Sequence, residues 1–161
     1  MKNRNRAKHT GRRKSGTFSS IPHAVQDSEN WKNASATAIK LLLELTRQFN
    51  GYNNGNLCAS RSVLHPRGWT SPEVITWATR ELLHFGFISR TKRGGLHMGP
   101  NLFALTWHAI DDCKGKHHCA ATAVASGDWK EPKPAFVRPE KNRKRTTPSV
   151  RGAVRQTYHA H

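Results

Sequence analysis

Nearly all of the Leu, Ile and Phe residues lie between Phe18 and Ile110, and the chain on either side has little to bury. That confinement constrains the fold more than any motif does. A window of roughly 95 residues supports one modest core, and a domain of that size is only marginally stable. The chain of 161 residues therefore predicts a single α+β domain over 18–112, a disordered basic arm over 1–17, and a basic, Pro-containing tail over 113–161.

Charge follows the same division. Lys and Arg number 27 against 10 Asp and Glu, a net charge of +17. Residues 1–17 carry seven basic side chains and no acid, and residues 130–161 carry nine against Glu131 and Glu140. The middle, 18–129, holds eleven basic and eight acidic residues. A near-neutral globule with cationic ends is the electrostatic footprint of a module that binds a polyanion. No run approaches the ~20 apolar residues of a membrane span, and no apolar segment follows the basic N-terminus as a secretory signal requires. Three cysteines, an odd number, argue against a disulfide framework and fit a reducing compartment. The expectation is a cytoplasmic, nucleoid- or nucleoprotein-associated protein with no membrane partner.

Along the window, Phe18, Ile21 and Val25 read as a short apolar strand or turn, broken by Pro22. Ala38, Leu41, Leu42, Leu45 and Phe49 recur at helical spacing, predicting a helix from about Ser35 to Phe49. Leu57-Cys58-Ala59 predicts a very short strand, and Ser60 heads a short helix to about Leu64. A longer helix starts at Thr70-Ser71-Pro72-Glu73. Either Ser71 caps it with Pro72 in first position, or Thr70 caps it with Glu73 closing a capping box. Its inner stripe is Ile75, Ala78, Leu82 and Phe85, and Gly86 stops it. Residues 87–92 and 102–107 then read as strands, with Phe103, Leu105 and Trp107 on one face, around a Gly-rich loop. Helix, short strand, helix, helix and hairpin with a basic loop is the order of a winged helix-turn-helix.

In that arrangement the third helix enters the major groove, where each base pair displays its own donor and acceptor pattern. The candidate contacts at its start are Arg67, Ser71, Thr76, Trp77 and Arg80. Arg80 suits a bidentate contact to guanine, Thr76 a thymine methyl or a phosphate, and Ser71 with the first-turn N–H groups a phosphate. The hairpin loop adds Arg90, Lys92, Arg93 and His97 for phosphates. The runs Arg12-Arg13-Lys14 and Lys141-Asn142-Arg143-Lys144-Arg145 add sequence-independent affinity through counterion release. The ordinary structural alternative is Trp77 packed under a tail and Arg80 paired with Glu73 or another acid on the same helix.

Leu-Leu-Leu-Glu-Leu (41–45), Asn-Asn-Gly-Asn-Leu-Cys (53–58), Arg-Gly-Trp (67–69), Arg-Glu-Leu-Leu (80–83) and Gly-Phe-Ile (86–88) resemble small bacterial winged helix-turn-helix proteins of phages, plasmids and integrated mobile elements. The likeness covers roughly residues 18–112. It implies double-stranded DNA as partner, in transcriptional or replication control of such an element, and it names no operator.

Other chemistry is poorly represented. No nucleophile elbow, phosphate-binding Gly-rich loop or His-Glu-x-x-His helix occurs, so no enzyme and no cofactor is expected. Asp111, Asp112, Cys113, His117, His118 and Cys119 form the one cluster with metal-ligand character. The cysteine spacing is too wide for a usual knuckle, and adjacent histidines rarely both bind one ion, so a polar loop without metal is expected. Two further function classes stay open at this level. One is an RNA-binding, ribosome-associated basic protein. The other is a winged-helix adaptor within a larger nucleoprotein complex, with a protein partner or a second copy of the chain.

Overall fold

A computed structural model describes residues 18–138. The fold is mixed α+β, with five helices and one three-stranded antiparallel sheet among the described residues. In chain order these are α1 His23–Gln26, α2 Glu29–Asn33, α3 Ala36–Gln48, β1 Leu57–Cys58, α4 Arg61–Leu64, α5 Pro72–His84, β2 Ile88–Lys92 and β3 Leu102–Leu105. A 3-10 turn, His65–Arg67, continues α4. No helix among the described residues is long and apolar enough to cross a membrane.

The two long helices form where the apolar spacing predicts them. Ser35 caps α3 by accepting from the Ala38 N–H, and Ala38, Leu41, Leu42 and Leu45 are buried along it. The start of α5 resolves to Ser71, whose hydroxyl accepts from the Val74 N–H at 3.4 Å with Pro72 in first position. Ile75, Ala78 and Leu82 face inward, and α5 packs against α3. Gly86 leaves the helix in the left-handed region at φ 69°. A side chain there would also sit 2.7 Å from the Asp128 carbonyl oxygen, so only glycine fits.

A buried carboxylate joins these helices. Both oxygens of Glu81 on α5 are used at the α3 terminus, one by the Ser35 N–H at 2.6 Å and the other by the Ser35 hydroxyl at 2.8 Å. Ser35 thus caps its own helix while being held by the neighbouring one.

The strand order is β1-β3-β2. Phe103 pairs with Leu57 on one side and with Arg90 on the other. The expected one-faced pattern of the last strand does not hold, because all four residues of β3 are buried. Both faces of β3 are therefore covered, and the strand ends at Leu105, leaving Trp107 half-buried beyond it. The β2–β3 register shifts between Arg90 and Lys92. Thr91 turns inward at this bulge and its hydroxyl donates to the Gly55 carbonyl at 2.6 Å.

Two segments differ from the sequence reading. The strand or turn expected around Ile21 and Val25 is instead helical, in α1, with Val25 fully buried, and α2 follows it under a Ser28 cap. Helices of one turn carry too few residues for a period to be read. The stretch expected as tail from residue 113 lies against the domain as far as the description runs. The Gly127 N–H donates to the Thr106 carbonyl at 2.9 Å, and Trp129 and Phe136 pack on the core. Asn30, 1% exposed, holds this stretch. Its amide nitrogen lies 2.9 Å from the Trp129 carbonyl and 2.7 Å from that of Glu131, and its oxygen accepts from the Lys133 N–H.

Candidate nucleic-acid interface

The outward side of α5 and the β2–β3 hairpin meet across a groove of about 350 Å³. Ala59, Ile75 and Phe103 contribute apolar lining, while Ser60, Thr76, Arg80, Arg90 and Asn101 supply polar groups. Three of the residues singled out in the sequence, Thr76, Arg80 and Arg90, are thereby brought together from two elements. The Thr76 hydroxyl donates to the Pro72 carbonyl at 2.9 Å, which turns its proton back into the helix and leaves the methyl group available.

The remaining candidates divide by what already engages them. Arg67 is exposed, but its guanidinium pairs with Glu44 of α3 and braces the turn after α4. The Ser71 hydroxyl serves as the α5 cap. Trp77 is half-buried, with the Arg80 guanidinium 4.7 Å from its ring centroid and its indole N–H donating to Glu73 at 3.4 Å. Among the described residues Arg80, Arg90, Lys92 and Arg93 form no ion pair with a carboxylate. Arg12, Arg13, Lys14, Arg143, Lys144 and Arg145 lie outside the described residues.

The hairpin loop has a built shape. Gly95 and Gly99 bridge, the Met98 N–H donates to the Gly95 carbonyl at 3.1 Å, and the Gly94 N–H donates to the Asn101 side chain at 3.0 Å. A side chain at Gly94 would meet the Gly99 carbonyl oxygen at 2.4 Å, so the loop closes only with glycine there. His97 sits at the tip with φ 61° and is exposed, flanked by the exposed side chains of Leu96 and Met98. Arg90 and Lys92 lie on the strand and Arg93 at the loop entry, so His97 is the one candidate at a tip that is otherwise apolar.

The residue that the sequence reading missed is Arg138. Its guanidinium bonds Glu73 at 2.7 Å and lies 4.7 Å from the Trp77 ring centroid. The signal available in the sequence was the pair Trp129 and Phe136, two large apolar side chains in a stretch otherwise read as tail.

No group of three or more His, Cys, Asp or Glu among the described residues is arranged to hold a metal ion. The cluster after Ile110 is dispersed into separate backbone contacts. The Cys113 thiol reaches the Asn54 carbonyl, His117 Nε2 lies 2.8 Å from the Asp111 carbonyl, and the Cys119 thiol donates to the Thr91 carbonyl at 3.3 Å. Burial pushes the Cys113 thiol up, and Asp111 and Asp112 push the same way against Lys116, which disfavours the thiolate a metal needs.

Comparison with known proteins finds no matching family model, no matching curated protein and no matching solved structure.

Proposed function

We propose that residues 18–112 form a winged helix-turn-helix domain that binds double-stranded DNA. In this reading α5 lies in the major groove, with Arg80 and Thr76 toward base edges, while Arg90, Lys92 and Arg93 on the hairpin take phosphates. The element order α3, β1, α4, α5, β2, β3 and the strand order β1-β3-β2 support the fold assignment. The observation that carries the function is the groove in which Arg80 of the helix and Arg90 of the hairpin converge. The basic runs at both ends add affinity that does not depend on sequence. The resemblance to small bacterial mobile-element proteins points to transcriptional or replication control as the setting.

Selection of bound duplexes from a random pool tests this directly, followed by binding measurements on the selected and a scrambled duplex across a salt series. Arg80→Ala is expected to weaken the selected duplex by about 1–3 kcal/mol and to leave the scrambled one nearly unchanged. Replacing Arg12, Arg13 and Lys14 with Ala should weaken both, and flatten log K against log salt by up to about 0.9 for each phosphate that is no longer neutralised. A protein that enriches no motif and shows no salt-dependent duplex binding does not have this function. Co-purification with ribosomal RNA in that case would favour the RNA-associated reading.

A further inference from the structure

We infer that the C-terminal stretch completes the nucleic-acid surface, with Arg138 as a further contact residue for duplex DNA held on the outer face of α5. This rests on the duplex-binding reading above and adds to it a residue from outside the helix-and-hairpin unit.

The stretch runs along α5 from its C-terminus toward its N-terminus. Asn30 clamps residues 129–133, His84 Nε2 lies 2.7 Å from the Pro134 carbonyl, and the Phe136 ring lies 5.5 Å from that of His84. Phe136 and Arg138 then line a groove with Val74, Trp77, Ala78 and Glu81. Arg138 arrives at the first turns of the helix, beside the residues that the duplex-binding reading turns toward the major groove.

What it does there follows from its partners. One oxygen of Glu73 takes Arg138 Nη2 at 2.7 Å and the Trp77 indole N–H at 3.4 Å. The guanidinium groups of Arg80 and Arg138 both lie 4.7 Å from the centroid of the Trp77 ring. A ring contact and a carboxylate bond together fix the Arg138 guanidinium, so less side-chain freedom remains to be given up on binding. A guanidinium has five N–H donors, and the bond to Glu73 leaves others for an acceptor pair. The Arg138 side chain is 51% exposed, which leaves room for that approach. Each guanidinium offers a planar fork of donors suited to phosphate oxygens or to the O6 and N7 edge of guanine. The same bond offsets part of the negative charge that Glu73 carries beside a phosphate backbone.

The test uses the full chain and three variants, Arg138→Ala, Arg138→Lys and Glu73→Gln, on the selected and scrambled duplexes. Both Arg138 variants should lose affinity on the order of tenfold. Lys keeps the charge and loses the planar fork, so it should fail to rescue. Glu73→Gln removes an acid near a polyanion, and simple electrostatics would tighten binding. The inference requires it to weaken binding, because Arg138 is no longer held. Weakening on the selected duplex alone puts Arg138 on a base edge, and equal weakening on both puts it on phosphate; either supports the contact. Parent-like binding by Arg138→Lys, or tighter binding by Glu73→Gln, overturns it. If the parent itself binds neither duplex, the duplex-binding reading fails first, and the inference with it.

Discussion

Asn54 is fully buried, and its side chain, like that of Asn30, is surrounded by backbone partners. Its oxygen accepts from the Leu105 N–H at 2.7 Å, and its amide nitrogen lies within hydrogen-bond reach of the carbonyls of Leu105, His108 and Ala109. It ties the turn before β1 to the end of β3 and to the exit of the chain beyond it. Asn54→Ala leaves the Leu105 N–H and the carbonyls of His108 and Ala109 without this partner, at about 1–3 kcal/mol for each group unpaired, so urea unfolding should show a loss above ~3 kcal/mol in all. Asn54→Asp should be nearly as damaging, because an ionised carboxylate has no N–H to donate to the surrounding carbonyls. A midpoint close to that of the parent for both would mean the tie contributes nothing. In the sequence, Asn53-Asn54-Gly55-Asn56 is legible as a turn. Which asparagine turns inward is not, since side chains of one type in one turn differ only in what the fold places above them.

At the scale of elements, α3 and α5 are legible because each spans 13 residues, enough turns for the apolar period to stand out. Leu42 and Leu82 are both fully buried on these helices. Leu42→Ala or Leu82→Ala should cost about 2–5 kcal/mol, measured by urea unfolding, and in a domain this small either change can abolish folding. Unfolding with a parent-like midpoint for either variant would put that helix face outside the core. The short elements were legible unevenly. Strand β1 and helix α4 announce themselves through turn residues on either side, whereas α1 depends on Val25 finding the core. The bridge from Glu81 to Ser35 was invisible for another reason: a carboxylate at position 81 reads as surface until a second helix terminus is placed beside it.

For the whole molecule, the boundary that matters lies beyond the expected residue 112. Removing residues 1–17 and 139–161 together should leave cooperative thermal unfolding unchanged. Ending the chain at residue 127 should lower Tm by several degrees. That truncation strips Trp129 and Phe136 from the core and takes the Asn30 side chain's Trp129, Glu131 and Lys133 partners. Each buried polar group left unpaired costs about 1–3 kcal/mol, and about 1 kcal/mol moves Tm by a few degrees in a domain of this size. Identical melting of the two truncated chains would show that residues 128–138 only decorate the surface.

Residue order alone determined where most of the core lies, which two helices are long, roughly where they begin, and that the cations gather at the ends and along one hairpin. Those properties are local: apolar period, turn chemistry and charge are all written within a few residues of one another. The tertiary structure decided what is non-local. It made β3 the central strand and covered both of its faces. It set Glu81 against Ser35, collected Arg80 and Arg90 into one groove, and laid Arg138 across Trp77. A cation sixty-five positions away from Glu73 becomes its partner only because the chain beyond β3 is clamped by Asn30 and returns along α5. That juxtaposition follows from the path of the folded chain, to which no local pattern in the sequence refers.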